Sequence, residues 1–415
     1  MNGHHAKPFM VTTTSAGIQE EHFCGDTKQD SGYIKLPNKI DDHYFFWYFE
    51  ARNQPETAPL VLWLTGGPGG SSMLALLTEN GPCHPTNVGF SYGPDARDAD
   101  DNEDNVGVNI YWFLQEFLKR HPELHNREFF ISGESYGGHY VPVAAHFITE
   151  QNRHKPKSAR HINLQGISIG NGCTNPVIQN PHYLDMATNA YNVSFVNATE
   201  LAGLKTVAAK CGQLMEVCQT QPSVCFDAES YCDDNLNSVF IVAKRNPYDI
   251  RQPCPTSDTD VLKCIANDFV GPYLDSPNLR TFLQVSKRVG KWEMCNFDVN
   301  SAFKNSRDMM MSSSSYVSEL LDSGVRVLIY AGDADLECNW SGNLAWLRAL
   351  NWTGSEKFNA ADEQDMVIDS KIAGSVISSR QLTFVRVFNA GHMVPQDQPA
   401  IALEMITKFL QNQEI

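Results

Sequence analysis

Residues 128–142 read Glu-Phe-Phe-Ile-Ser-Gly-Glu-Ser-Tyr-Gly-Gly-His-Tyr-Val-Pro. Phe129, Phe130 and Ile131 form a short apolar run suited to a buried strand, and the residues after Gly137 can become a helix. Between them stands Gly133-Glu134-Ser135-Tyr136-Gly137, a G-x-S-x-G on a strand-to-helix turn. In that context the pattern predicts a nucleophile elbow, with Ser135 Oγ raised at the end of a sheet. The glycines are needed because the turn is so sharp that a Cβ would strike the neighbouring strand or helix. A second copy, Gly166-Ile167-Ser168-Ile169-Gly170, sits in different surroundings. Ser168 lies between two β-branched residues and reads as a strand interior, with Asn171-Gly172 as the following turn.

A nucleophilic serine needs a base, and the base needs an orienting acid. In α/β-hydrolases these follow in the order Ser, acid, His, each on a loop after a strand. The apolar run 325–330 ends in Ala331-Gly332-Asp333-Ala334-Asp335, and either aspartate could be the acid. The run 382–388 ends in Asn389-Ala390-Gly391-His392, the one of 13 histidines that follows a strong strand through a glycine turn near the C-terminus. A third run, Pro59–Leu64, leads into Thr65-Gly66-Gly67-Pro68-Gly69-Gly70-Ser71-Ser72. A glycine loop there suits an oxyanion hole built from the amides of Gly67 (or Gly66) and Tyr136. No Gly-Lys-Ser/Thr follows, which excludes a nucleotide P-loop.

Four blocks carry a resemblance to the serine carboxypeptidases: residues 63–72, 133–142, Tyr330-Ala-Gly-Asp-Ala-Asp-Leu-Glu-Cys-Asn-Trp340 and Gly391-His-Met-Val-Pro395. The resemblance implies an α/β-hydrolase fold with a mixed central sheet and an inserted helical, cysteine-rich lid. It implies Ser135, Asp335 and His392 as the triad and the amides of Gly67 and Tyr136 as the oxyanion hole. Glu134 and Glu79 would share a proton and bind the substrate's terminal carboxylate, helped by Thr65 and Gly66. Two close carboxyls can do this because like charges at short range keep one of them neutral. Trp63, Tyr248 and Met393 match positions of the leaving-residue pocket. The expected reaction is release of C-terminal amino acids from peptides or proteins at acidic pH through an acyl-enzyme, with no metal or cofactor. A transferase or lyase on the same scaffold, or an inactive binding relative, are the alternatives.

Three positions depart from the family pattern. Thr65 replaces a carboxylate-binding Asn. Gly70 replaces a cysteine that would pair with Cys295. Cys83-His84 runs directly into Pro85, where relatives carry a loop and another sheet strand, so one core strand is expected to be missing.

The rest of the chain fits. The net charge of −16 argues against nucleic acid and anionic membranes as partners. No apolar run approaches a membrane span. The first residues lack the apolar stretch of a signal peptide, yet 11 cysteines suggest an oxidising, secreted or vacuolar/lysosomal compartment. Cys211, Cys218, Cys225 and Cys232 recur every seven residues, unlike a zinc knuckle, and Pro222 interrupts any single helix through them. The resemblance suggests bridges Cys211–Cys232, Cys218–Cys225 and Cys254–Cys264, with Cys338 a buried free thiol; Cys24, Cys83 and Cys173 have no evident partner. Asn192, Asn197 and Asn351 are candidate glycosylation sites, while Asn339 is expected to be too buried. The core is expected over residues 20–175 and 306–415, the lid over 176–305. Residues 33–36 and 43–51 read as an antiparallel pair, 106–121 as a helix, and the acidic stretch 95–104 as a solvated loop.

Overall fold

A computed structural model describes residues 23, 27–79, 88–154, 159–237, 244–254, 264–265 and 269–415. Cys24, Cys83 and the junction at Cys83–Pro85 lie outside them. The strands are β1 (Gln29–Lys35), β2 (His43–Phe49), β3 (Leu60–Leu64), β4 (Phe129–Glu134), β5 (Leu164–Gly170), β6 (Arg245–Asn246), β7 (Asp249–Pro253), β8 (Arg326–Gly332), β9 (Gln364–Ile368), β10 (Lys371–Ser379) and β11 (Leu382–Val387). Seven of them form one sheet in the order β3-β4-β5-β8-β11-β10-β9. The β3–β4, β4–β5, β5–β8 and β8–β11 pairs are parallel, and β9 and β10 add antiparallel edge strands. This is the mixed sheet expected.

All six residues of β4 are buried, as befits a central parallel strand covered on both faces. Its side chains alternate. Helix α1 (Met73–Thr78) packs in a cluster of its own with Phe45, Trp47 and Phe90. Phe129 and Ile131 join the core built with helices α2 (Glu103–Arg120) and α3 (Gly137–His154), while Phe130 packs with Met405 and Phe409 of the C-terminal helix Pro399–Leu410. β8 alternates likewise, with Val327 and Ile329 on the first side and Leu328 and Tyr330 on the second. The period of two sets which residues face each helical layer.

The sheet has an open edge. β3 pairs with β4 on one side only, and β1–β2 form a separate hairpin running from Gln29↔Phe49 to Lys35↔His43. Among the described residues no strand joins β2 to β3. Between them lies a cavity of about 540 Å³ lined by Phe46, Tyr48, Leu60, Leu62, Phe117 and Glu79, among others. The sequence reading expects one core strand fewer, at a junction that lies outside the described residues. Val61 on the open edge remains exposed.

Between β5 and β8 the chain leaves the main sheet. Helix Ala198–Thr220 starts at a capping box in which the Asn197 side chain and Glu200 satisfy each other's backbone amides. It stops just before Pro222, and helix Cys225–Cys232 turns back alongside it. Disulfides Cys211–Cys232 and Cys218–Cys225 clamp the two helices, and Cys254–Cys264 closes a third loop, as expected. The heptad spacing places two cysteines on each helix so that they face in nested pairs. Among the described residues no helix is long and apolar enough to cross a membrane.

Two expectations fail. Cys338 is not a free thiol: it is bridged to Cys173, with Cα atoms 5.5 Å apart. The reason is topological, since Cys173 follows β5 and Cys338 follows β8, and these strands are neighbours in the sheet. The acidic stretch 95–104 is not a solvated loop either. Asp98 and Asp100 are buried; Asp98 accepts the backbone amides of Ile40 and Asp41, and Asp100 accepts from Lys39 Nζ, Tyr44 Oη and Asn109 Nδ2. A buried carboxylate is tolerated when paired and hydrogen-bonded, and here it ties the β1–β2 turn to α2.

Cys295 is free among the described cysteines, and burial pushes its thiol up to about 11. Its backbone bridges Gly70, so only the absence of a side chain at Gly70 prevents a disulfide there.

Candidate active site

Ser135 occupies the turn between β4 and α3 with φ of 60°. A non-glycine residue in this left-handed region is strained and persists only where its surroundings enforce it. Here they do. A Cβ on Gly133 would meet Leu64 O at 2.7 Å, and one on Gly137 would meet the same atom at 2.9 Å. The Ser135 amide donates to Gly170 O at 3.1 Å. The elbow thus follows from close packing against β3 and β5. Ser168, by contrast, is buried inside β5, with its hydroxyl 2.6 Å from Ser132 Oγ.

The glycine loop after β3 packs onto the elbow. A Cβ on Gly66 would come within 2.2 Å of Tyr136 N, so Gly66-Gly67 and the Tyr136 amide adjoin. Gly67, Ser135 and Tyr136 line one cavity of about 190 Å³. The Tyr136 ring stacks on His139 and its hydroxyl donates to Asp308 at 2.6 Å, which fixes the residue following Ser135.

The choice between the two aspartates is decided by geometry. His392 Nδ1 lies 2.9 Å from Asp335 Oδ2. Asp335 is fully buried and also accepts from Asn171 Nδ2 at 2.7 Å, the Glu337 amide at 3.0 Å and the Cys338 amide at 3.2 Å. Asp333 points elsewhere, accepting from Tyr191 Oη and the Asn389 amide. Burial disfavours a charged His392, but the Asp335 charge and hydrogen bond, with Glu337 and Glu79 beyond, outweigh it and raise its pKa. His392 Nε2 is buried and makes no hydrogen bond, so the structure brings Ser135 and His392 to one sheet end without a bond between them. Such contacts are often loose before substrate binds.

Glu134, at the end of β4, is buried and shares a side-chain hydrogen bond with Glu79 at the end of α1. Burial pushes both carboxyls above their usual range, and the charge of Glu79 adds to the effect at Glu134. Each keeps one buried oxygen without a partner. The Thr65 hydroxyl accepts from Trp63 Nε1 at 3.0 Å. Tyr248 lies with its ring 5.1 Å from that of His392, and Met393 follows His392 directly. Asn192, Asn197 and Asn351 are exposed and Asn339 is buried.

The family model described as serine carboxypeptidase matches residues 19–87 and 84–412 of this chain. The chain belongs to the serine carboxypeptidase family. A serine carboxypeptidase-like protein of Oryza sativa subsp. japonica is 35% identical over 96% of each chain. Carboxypeptidase Y of Candida albicans is 36% identical over 92% of this chain and 73% of its own. The crystal structure of Kex1Δp, a prohormone-processing carboxypeptidase from Saccharomyces cerevisiae, superposes with a TM-score of 0.79 at 25% identity, covering 93% of this chain and 91% of that one. As a member of this family the protein is an α/β-hydrolase of the serine carboxypeptidase type. The family match breaks in two at 84–87. The rice alignment spans 428 positions but uses 96% of the 415 residues here, about 398, so about thirty positions of that serine carboxypeptidase have no counterpart.

Sequence reading missed several supports of the site. Asn171, taken as a mere turn residue, bridges β5 and β8 by donating to Asp335 and accepting from the Gly332 amide at 3.1 Å. The available signal was an Asn, a residue that tolerates positive φ, directly after an apolar strand; its φ is 40°. The β6–β7 hairpin braces the His392 loop. The His392 amide donates to Tyr248 O at 2.7 Å, and Arg251 joins Asp249 and Asp397, which accepts the Gly391 amide. Contacts between residues 140 positions apart leave no trace in local sequence.

Proposed function

We propose that the protein removes C-terminal amino acids from peptides at acidic pH through an acyl-enzyme on Ser135. The observation that carries this reading is the buried, mutually bonded pair Glu79–Glu134 at the foot of the elbow. A carboxyl kept neutral by burial and a like-charged neighbour can donate a hydrogen bond to a substrate carboxylate, which an ionised one would repel. His392 takes the Ser135 proton as the hydroxyl attacks the last peptide carbonyl. It then gives that proton to the departing amine, while Asp335 fixes its tautomer. The amides of Gly67 and Tyr136 receive the developing oxyanion. Thr65 and Gly66 complete the carboxylate site, and Trp63, Tyr248 and Met393 surround the leaving residue. Residues 176–305 act as the lid of the core formed by 20–175 and 306–415. Four disulfides fit a secretory or vacuolar route.

The pH dependence follows by sign. Raised carboxyl pKa values keep Glu134 and Glu79 protonated above the ordinary range, so peptide binding is strong in acid and weakens as pH rises through those values. The contributions of Glu79 and Glu337 to the raised His392 pKa vanish when they protonate, which keeps the base neutral further into acid. Glu134→Gln leaves a donor that does not ionise. In this variant KM for a blocked dipeptide should no longer rise with pH, and an unchanged profile would refute the role of the pair.

A further inference from the structure

The 190 Å³ cavity over Ser135 also extends away from the carboxylate pair. Its walls include Gly67, Ser135 and Tyr136, but none of Glu79, Glu134, Thr65, Trp63 or Met393. A peptide whose terminal carboxylate sits at Glu79–Glu134 and whose carbonyl oxygen faces the Gly67 and Tyr136 amides must direct its preceding residue into this cavity. Met215, Met309, Met310, Tyr183 and Tyr248 supply apolar walls, and three carboxylates also line it: Glu229, Asp233 and Glu337. Glu229 is paired with Lys304 at 3.3 Å. The Glu337 backbone is engaged on both sides, its amide to Asp335 and its carbonyl accepting from Tyr183 Oη at 2.7 Å. Its carboxylate has neither a hydrogen bond nor an ion pair among the described residues. The cavity thus combines apolar side chains with an acid on its wall that has no partner among the described residues, a lining suited to an alkyl stem ending in a cation.

The geometry points to a specificity site: this cavity holds the side chain of the residue before the scissile bond, and Glu337, with Asp233 also in its lining, selects lysine or arginine there. The inference rests on the carboxypeptidase reading for which bond is cut, but not for what the cavity binds. Glu337 is faced by Asp335, His392 and Asp233, with Glu229–Lys304 across the cavity. Burial, then the charge of Asp335, push its carboxyl up to about 7. Below that pH it is neutral and only hydrogen-bonds; above it, it is charged. The selectivity therefore grows as pH rises, the opposite trend to peptide binding at Glu79–Glu134.

The test compares benzyloxycarbonyl-Lys-Leu with benzyloxycarbonyl-norleucine-Leu, whose penultimate side chain has a similar stem without the charge. In the wild type kcat/KM should favour Lys by about tenfold or more, as for a desolvated charge pair. The ratio should increase between about pH 5 and about pH 7.5, through the pKa of Glu337. Glu337→Gln should bring the ratio close to one and remove its pH dependence while norleucine peptide turnover persists, which shows the variant is folded. A wild-type ratio of one, or a ratio unchanged in Glu337→Gln, overturns the proposal. If neither peptide is cleaved, the carboxypeptidase reading fails separately. Calorimetric binding of N-acetyl-lysinamide against N-acetyl-norleucinamide to Ser135→Ala then decides the cavity alone: tighter lysine binding that Glu337→Gln abolishes supports it, and equal binding refutes it.

Discussion

The two ends of the central sheet differ sharply. At β5, β8 and β11, Asp335 is held by Asn171, two backbone amides and His392, and every neighbouring strand edge is paired. Among the described residues the ladder stops at β3, and a cavity of about 540 Å³ lies between it and the β1–β2 hairpin. The loops carrying Asp335 and His392 leave β8 and β11, which do not border the cavity, and β4 touches it only through Phe129, at the strand end opposite Ser135. The unpaired edge at β3 therefore lies away from the triad residues, because each is positioned by strands further into the sheet. Two parts of the site reach the gap: β3, which leads into the oxyanion loop and lines the cavity through Leu60, Val61 and Leu62, and Glu79, which lines it directly. The gap should thus disturb carboxylate binding before it disturbs proton transfer.

The sharpest way to break this comparison lies at the well-supported end. Asp335→Asn should lower kcat by roughly 10⁴-fold, as expected for an orienting acid that sets a histidine tautomer, whereas Asp333→Asn should leave kcat almost unchanged. Steady-state kinetics on one blocked dipeptide distinguishes them. Next in size, Asn171→Ala leaves Asp335 short of a buried donor. A loss of about 1–3 kcal/mol of buried hydrogen bonding, or roughly 10- to 100-fold in kcat, is expected if that support is catalytic, with KM little altered.

At the other end, hydrogen exchange sharpens the contrast. Amides of β1, β2 and β3 should exchange about tenfold or more faster than those of β4, β5 and β8, since β1–β2 form a two-stranded ladder apart from the main sheet and β3 is paired on one side only among the described residues. Uniform protection across all of them would show that the cavity is filled in solution.

The smallest effect concerns stability. Glu79 and Glu134 have raised pKa values in the folded protein, so folding retains their protons. Their contribution is complete below the unfolded carboxyl pKa and is lost as pH rises through the folded values. Urea midpoints should fall between about pH 4.5 and about pH 7.5, and Glu134→Gln should flatten the slope.

Legibility in the sequence followed the same division. The elbow could be read because its glycines, serine and flanking apolar run are contiguous, and the order of Asp335 and His392 needed only the strands before them. Residues 33–36 and 43–51 read correctly as a pair, although β1 begins earlier, at Gln29. The disulfide Cys173–Cys338 was not legible, because it depends on β5 and β8 being neighbours across 165 residues. Nor was the burial of Asp98 and Asp100. Their composition looked solvated, and only the Ile40 and Asp41 amides at Asp98, with Lys39, Tyr44 and Asn109 at Asp100, offset their removal from water. Glu337 was hidden within a block recognised for its neighbour Asp335, and only the cavity wall gives it a role of its own.

The most direct test of the central claim, that the carboxypeptidase site is complete despite the open edge, is release of leucine at about pH 5 from benzyloxycarbonyl-Lys-Leu and from its C-terminal amide. Wild-type protein should release leucine from the free acid, act far more slowly on the amide, and lose activity in Ser135→Ala or after labelling of Ser135 by a fluorophosphonate. Absence of release from a folded wild-type protein, or equal turnover of acid and amide, would contradict the account.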